Sequence, residues 1–266
     1  MRRFATGLVA LAVALPCGGC ATLPTGRAWG ADATTRPGWE RVRQAAADAG
    51  RDPWVWVPIA GALAFQVDGL DRRTSDWARE HTPVFGSTQD AERWSDNLRA
   101  ASGFMMLGTL IATPGGDDPG EWTVNKLKGG AVELAAVGAT SLATSVLKNT
   151  AGRTRPDGSD DESFPSGHTS SAAVSGRLAK ANLDSISMND AARRAADLGI
   201  DVTVIGTAWA RVEAGAHFPS DVLAGMALGN FLAHFATEAF LDPGSSSSIT
   251  LTPVDGGAQL SWNVRF

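Results

Sequence analysis

Apolar side chains in the middle of the chain recur every three or four positions, the spacing of one face of an α-helix. Leu127, Ala131 and Leu134 follow this spacing in one long segment. Asp52 followed by Pro53 is typical of a helix start, because Asp caps free backbone amides and Pro fits the first turn. The pattern predicts helices over residues 37–50, 54–67, 88–113, 121–148, 165–183, 190–211 and 219–240. The fold class predicted is therefore all-α, a helical bundle spanning residues 36–242.

The two ends of the chain differ from this bundle. Residues 1–20 are typical of an export signal, with two arginines followed by an apolar run too short to span a bilayer as a mature helix. Both cysteines lie here, so the mature chain has no disulfide framework. The segment around Cys20 resembles a bacterial lipoprotein cleavage site, at which Cys20 becomes the lipidated first residue. Ordinary cleavage near Ala21 is the alternative.

Two further segments flank the predicted bundle. Residues 21–35 are polar and predict a tether. Residues 243–266 predict a serine-rich linker and a β-hairpin, whose strands, 249–254 and 258–266, flank an Asp-Gly-Gly turn. We expect the hairpin to pack on the bundle or on a partner subunit, because an isolated hairpin is marginally stable.

Charge and hydropathy limit the classes of partner. The whole chain has a net charge of −5. Residues 1–19 contain two arginines and no acidic residue, so their removal makes the mature chain more negative. An acidic protein of this kind is unsuited to nucleic acid. Charged residues such as Glu133, Arg177 and Lys180 interrupt the apolar helices, and the mean hydropathy is near zero. These features favour a soluble, exported, periplasmic bundle over an integral membrane protein, with a membrane-resting helix at residues 54–67 as the alternative. The oligomeric state is left open.

The strongest chemical signal lies at residues 164–169, Phe-Pro-Ser-Gly-His-Thr. Pro165 suits the first turn of a helix, whose free amides bind anions. Gly167 permits close approach of an anion, Ser166 adds a hydroxyl donor, and His168 can move a proton near neutral pH. The combination predicts phosphate chemistry.

Two flanking segments add cations and a second histidine. Lys148, Arg155 and Arg211 supply positive charge on either side of the central motif. His217 and Asp221 lie four residues apart, so the carboxylate is expected to reach the imidazole and orient it. Each residue alone has a structural explanation, such as a helix cap or a surface pair. Their combination favours a phosphate site.

Together the three segments resemble the type 2 phosphatidic acid phosphatase (PAP2) superfamily, which includes bacterial acid phosphatases, lipid phosphate phosphatases and vanadium haloperoxidases. The family pattern is Lys, six residues, Arg-Pro, then Pro-Ser-Gly-His, then Arg, five residues, His, three residues, Asp. Residues 148–221 match this spacing throughout, and Ala210 replaces the usual serine before the third-motif Arg.

The resemblance implies a role for each matched residue. His217 would be the nucleophile, Asp221 would hold its ring, and His168 would be the acid and base. The phosphoryl group would be held by the remaining matched residues: Lys148, Arg155, Ser166, Gly167 and Arg211. No metal or other cofactor is implied, although vanadate would be expected to bind as an inhibitor.

The sequence predicts no role in the reaction for the other polar residues. Arg153 and the acidic residues of the same loop, Asp157, Asp160, Asp161 and Glu162, are typical of a solvated charge cluster. His81 and His234 have no partner pattern, which favours packing or surface positions.

The predicted function is an exported, metal-independent phosphatase that acts through a phosphohistidine. Its expected substrate is a phosphatidate-like lipid phosphate, a polyprenyl pyrophosphate or a soluble phosphomonoester. Two alternatives remain: a vanadate-dependent haloperoxidase, with vanadate as cofactor at His217, and a non-catalytic envelope lipoprotein that binds phosphorylated ligands.

Overall fold

The computed structural model describes residues 22–23, 26–241, 248–254 and 257–263. The predicted signal peptide and Cys20 lie outside these residues. The helices, numbered in chain order, are α1 Trp39–Arg51, α2 Pro53–Ala64, α3 Leu70–His81, α4 Thr88–Ala112, α5 Pro119–Ala151, α6 Gly167–Asp184, α7 Asp190–Glu213 and α8 Pro219–Ala236. The all-α prediction is confirmed.

Side-chain caps determine where several helices begin. Asp52 accepts a hydrogen bond from the Trp54 amide at 2.9 Å, and Ser87 accepts one from the Asp90 amide at 3.0 Å, as the sequence predicts. The central motif differs from its prediction, because α6 begins at Gly167 with Ser166 as its cap. Pro165 therefore lies before the helix rather than in its first turn.

Helix α6 lies at the centre of the bundle and packs against α4, α5, α7 and α8. Its closest neighbour is α8, where Gly225 and Gly229 face its backbone. A Cβ at Gly225 would lie 2.5 Å from the Ser166 carbonyl oxygen, and one at Gly229 would lie 2.4 Å from that of Ser170. Glycine is therefore required for this packing, which fixes the start of α8 beside the start of α6.

The N-terminal segment is docked on the bundle, which corrects the prediction of a tether over residues 21–35. Trp29 is 5% exposed, and its amide donates to the Pro114 carbonyl oxygen at 2.7 Å. The Lys126 ammonium group lies 4.9 Å from the Trp29 ring centroid. The polar composition predicted a solvated segment because a single buried tryptophan makes a weak signal in a sequence.

The surface is more apolar than that of the soluble bundle predicted from the sequence. Large apolar side chains are exposed on several helices, among them Phe104 on α4, Leu142 on α5 and Val202 on α7. Within the described residues, α5 is the one helix that is long and apolar enough to cross a membrane, and most of its apolar window lies at the surface. Extensive exposed apolar surface is typical of contact with a membrane or another protein.

The backbone at Ser248–Val254 and Gly257–Asn263 pairs as two antiparallel strands, β1 and β2, with Ser248 opposite Asn263. The end of the predicted second strand lies outside the described residues. The helical fold and the site do not depend on these strands. The hairpin and its packing on the bundle or a partner stay predictions.

We predict that Gly129→Ala releases the N-terminal segment. A Cβ at Gly129 would lie 2.4 Å from the Trp29 ring, whereas one at Gly130 would lie 3.4 Å from the Leu110 side chain. Both changes replace a helical glycine, so they gain similar helix propensity. Trypsin cleavage at Arg27 and a red shift in tryptophan emission should increase in Gly129→Ala alone. Equal behaviour of Gly130→Ala would contradict the docking of Trp29.

Candidate active site

The three sequence segments meet at the start of α6. The Ser166 amide donates to the Asp221 carbonyl oxygen at 3.0 Å, which joins the central segment to the third one. The Arg155 guanidinium donates to the Ala216 carbonyl oxygen at 3.3 Å, which joins the first segment to the third. Residues far apart in the chain thus form one site, at the ends of α5 and α7 and the beginnings of α6 and α8.

His217 lies at the bottom of this site and is 2% exposed. Its Nδ1 lies 2.6 Å from the Ser163 carbonyl oxygen, which can only accept a hydrogen bond. Nδ1 therefore carries the proton, and Nε2 is left with its lone pair. Burial and the charges of Arg211, Arg155 and Lys148 lower the pKa of His217 well below its ordinary value. The ring is neutral near pH 7, which a nucleophile requires.

The expected contact between Asp221 and the His217 ring is replaced by an indirect one. Asp221 Oδ2 accepts hydrogen bonds from the Ser163 hydroxyl at 2.5 Å and from the Phe218 amide at 2.9 Å. Ser163 thus stands between the two, held by Asp221 through its side chain and holding His217 through its carbonyl oxygen. The sequence could not indicate this, since the acceptor is a backbone group in an irregular loop.

Arg153 is part of this arrangement, so its interpretation as a solvated charge was wrong. Its guanidinium forms ion pairs with Asp71 at 2.7 Å and with Asp221 at 2.6 Å. Both carboxylates are buried, and the Phe218 ring lies 4.1 Å below the guanidinium carbon. Two nearby carboxylates and an aromatic face outweigh the hydration of a loop arginine.

Asp221 carries opposing influences on its charge. Burial raises the pKa of Asp221, while the Ser163 hydroxyl, the Arg153 charge and the Phe218 amide lower it. Each of these partners donates a hydrogen bond or supplies a positive charge, so each favours the carboxylate form. Without the charge of Arg153, burial would therefore raise the pKa of Asp221 further.

Three cations, Arg211, Arg155 and Lys148, lie close enough to His217 to act on its charge. Lys148 Nζ donates to the Glu162 carbonyl oxygen, and Arg155 Nε lies 2.5 Å from the exposed carboxylate of Asp160. Burial, followed by the charge of Arg155, lowers the pKa of both Lys148 and Arg211. Like charges held this close in a partly buried site are unfavourable unless an anion binds between them.

Arg211 is buried, and its hydrogen bonds within the described residues are incomplete. It is 6% exposed, and one of its terminal nitrogens lies 3.3 Å from the Ser95 hydroxyl oxygen. Its buried Nε–H has no hydrogen-bond partner among the described residues. A buried donor of this kind is costly, so an acceptor is expected to complete the site.

The start of α6 supplies neutral donors. Ser166 Oγ accepts from the Thr169 hydroxyl at 3.0 Å and caps the helix, while its own hydrogen stays available. Within the described part of the chain, the amides of Gly167 and His168 have no hydrogen-bond acceptor. Free amides at a helix start bind phosphate oxygens well.

His168 has a partner that the sequence did not reveal. Its Nε2 lies 2.8 Å from Asp96 Oδ1 on α4. Burial and the charge of Arg211 lower the pKa of His168, and Asp96 opposes them. Asp71 and Asp96 belong to no motif and lie 72 to 149 positions from their partners in the chain, so nothing in the sequence singles them out.

The remaining polar predictions are settled by burial and contacts. The acidic residues Asp157, Asp160, Asp161 and Glu162 are exposed, as expected for a solvated cluster. His81 is exposed and stacks on Trp77. His234 instead pairs with Asp52 at 2.6 Å, beside Arg177. The described residues include no group of three or more His, Cys, Asp or Glu side chains placed to hold a metal ion.

A family model and a solved structure match this chain. The family model of the PAP2 superfamily matches residues 131–243, which include every catalytic and phosphate-binding residue predicted from the sequence. The fold resembles a transmembrane PAP2-type phosphatidylglycerolphosphate phosphatase from Bacillus subtilis, with a TM-score of 0.50 and 21% identity over 69% of this chain and 92% of that one. No curated protein matches the chain. The resemblance inferred from the motifs is confirmed.

We predict that Arg153→Met and Arg155→Met separate folding from activity. Arg153→Met leaves two buried carboxylates without their cation, a loss worth about 3–5 kcal/mol of unfolding free energy. Arg155 pairs with an exposed carboxylate and makes one long hydrogen bond, of 3.3 Å, to the Ala216 carbonyl oxygen, so Arg155→Met should lower the melting temperature far less. Thermal unfolding and phosphatase assays on both variants make the comparison. Similar melting temperatures for the two would contradict the structural role of Arg153.

Proposed function

Because residues 131–243 are of the PAP2 type, we propose that this chain is a phosphatase that hydrolyses phosphate monoesters through a phosphohistidine at His217. The observation that carries the proposal is the buried, neutral His217, whose Nδ1 is bonded to the Ser163 carbonyl oxygen and whose Nε2 keeps its lone pair. Simple phosphate binding would need the cations and amides alone. A nucleophile with a fixed tautomer, beside a second histidine, favours catalysis.

In the first step, Nε2 of His217 attacks phosphorus while the bond from phosphorus to the leaving oxygen breaks. His168 gives its proton to that oxygen, so the alcohol departs neutral. The positive charge on the phosphorylated imidazole is shared with Nδ1–H, which the Ser163 carbonyl oxygen stabilises. Asp221 and Arg153 keep that carbonyl in place.

In the second step, water attacks the phosphoryl group and the bond between Nε2 and phosphorus breaks. His168, now neutral, takes a proton from the water and is ready for the next turnover. Inorganic phosphate leaves, and His217 returns to its starting tautomer. No redox change or external acid is needed.

Lys148, Arg155 and Arg211 would hold the non-bridging oxygens through both steps, together with Ser166 and the Gly167 amide. Fixed donors of this kind stabilise the transition state, and loss of one costs about 2.7–4 kcal/mol in barrier. The donor set supplies the neutralisation that metal ions provide in other phosphoryl transfers. We therefore expect turnover without added metal and inhibition by vanadate, an analogue of the transferred group.

A phosphorylated lipid is the substrate class that the surroundings favour. An open apolar groove of about 580 Å³ lies between α2, α7 and α8. Its lining includes Val212 and Val222, which adjoin Arg211 and Asp221 in the chain. We propose that an acyl or prenyl chain occupies this groove while its phosphate group is held in the site. The phosphatase from Bacillus subtilis acts on phosphatidylglycerolphosphate, which is consistent with this class.

The exposed apolar side chains support association with a membrane. They lie on helices that surround the site, and one apolar helix is long enough to span a bilayer. Export to the periplasm and lipidation of Cys20 depend on the first 20 residues, which the structure does not describe. Both stay part of the proposal.

We predict that the purified protein releases phosphate in the presence of a chelator. The substrates are p-nitrophenyl phosphate, glycerol 3-phosphate, and phosphatidates and phosphatidylglycerol phosphates of increasing chain length. If the groove receives a lipid chain, kcat/KM should rise with chain length. His217→Ala should abolish release, whereas His81→Ala, which removes an exposed histidine, should change little.

The same assay distinguishes the alternatives. Residual activity in His217→Ala close to that of the unchanged protein would refute the phosphohistidine. Phosphate binding without turnover would favour the binding-protein alternative, and halide oxidation after vanadate loading would favour the haloperoxidase. Loss of all release with chelator, restored by a metal ion, would contradict metal independence.

A further inference from the structure

Helix α4 lies outside the segment matched by the family model, yet it supplies two contacts to the site. Ser95 accepts a hydrogen bond from Arg211, and its neighbour Asp96 accepts one from His168 Nε2 at 2.8 Å. Consecutive residues of one helix thus contact the cation on α7 and the histidine on α6. The side chain of Asp96 is 57% exposed, while that of His168 is 27% exposed.

The position of α4 is fixed by a buried carboxylate. Glu213, at the end of α7, accepts hydrogen bonds from the Val84 and Phe85 amides at 3.0 Å each. These amides belong to the loop that leads into α4. A fully buried carboxylate with two amide partners holds this loop firmly, so the contact between Asp96 and His168 has a rigid support.

We propose that Asp96 is a positioning residue for His168, acting as the carboxylate that orients its ring and stabilises its protonated form during proton transfer. This inference rests on the proposed phosphatase function. Because Asp96 accepts from Nε2–H, the nitrogen left for the leaving oxygen is Nδ1. His168 Nδ1 has no hydrogen-bond partner among the described residues, as a donor awaiting substrate requires.

The charges around His168 explain why such a partner is needed. Arg211 from α7 and Arg99 from α4 both face the ring and disfavour its protonated form, as burial does. Asp96 is the acidic group that opposes them. In the leaving-group step, Nδ1–H passes its proton to the oxygen and the ring becomes neutral. In the water step, Nδ1 takes a proton back, and Asp96 again stabilises the cation.

Asp96→Asn tests this role, with Glu92→Gln as its matched control. Glu92 lies one turn earlier on α4 and is exposed, and its substitution removes the same charge. It has no contact with His168. We compare kcat/KM, which reports the phosphorylation step, for dihexanoyl phosphatidate and for p-nitrophenyl phosphate. The alkyl substrate needs the acid, so its kcat/KM should fall about 10- to 100-fold. The kcat/KM for the aryl substrate should fall less than about threefold.

The pH dependence gives a second measurement. Activity on the alkyl substrate falls as pH rises through the pKa of His168, because the protonated ring is needed. Removal of the carboxylate lowers that pKa, so the alkaline limb should move down by about one pH unit in Asp96→Asn. Asp96→Glu keeps a carboxylate, so its alkaline limb should lie between those of Asp96→Asn and the unchanged protein. The His168 titration, followed by NMR of the folded protein, should move in the same direction.

Three results would overturn the proposal. Equal losses on both substrates with an unmoved His168 titration would leave Asp96 a structural residue. If Glu92→Gln changed activity in the same way, the effect of Asp96→Asn would be due to the lost net charge alone. If phosphate inhibited Asp96→Asn more tightly and the alkaline limb of its pH profile did not move, Asp96 would only compete with the substrate. Absence of turnover in the unchanged protein would refute the proposed function instead, and the NMR titration would still decide the contact.

Discussion

Two buried carboxylates, Asp71 on α3 and Asp221 on α8, are held together by one arginine from the loop between α5 and α6. Without Arg153 they would repel each other, and each would carry an unpaired charge in a poorly solvated place. With it, three distant parts of the chain are joined behind the site. Asp221 then holds Ser163, and the Ser163 carbonyl fixes the ring of His217. The tautomer of the nucleophile therefore depends on an ion pair that does not itself touch the reacting atoms.

On the opposite side of His217 the electrostatics are reversed. Burial lowers the pKa of His217, and the charges of Arg211, Arg155 and Lys148 lower it further, while the buried Nε–H of Arg211 has no partner among the described residues. A phosphate dianion would relieve the mutual repulsion of the cations and accept from the unpaired donor. Burial and the same cations keep His217 neutral before the substrate arrives, so the charges that bind phosphate also favour the nucleophilic form.

The sequence predicted the helices well where caps and apolar periodicity agreed, as at Ser87 and Asp52. It also predicted which site residues meet, because the motif spacing encodes both backbone geometry and chemistry. It failed where the decisive partner is a backbone oxygen, as at Ser163, or a lone carboxylate on a distant helix, as at Asp96. Trp29 shows a third kind of failure, since its burial depends on a glycine pocket about 100 positions away that no local pattern reveals.

In the proposed mechanism, Nε2 of His217 becomes phosphorylated during turnover. Reaction with phosphatidate, quenched in alkali within milliseconds and analysed by peptide mass spectrometry, would detect this intermediate, because phosphohistidine survives alkali better than acid. We expect one phosphoryl group on the peptide that contains His217, more of it in His168→Ala when p-nitrophenyl phosphate is the substrate, and none in His217→Ala. Steady turnover without any phosphorylated peptide in these reactions would contradict it and would favour direct attack by water.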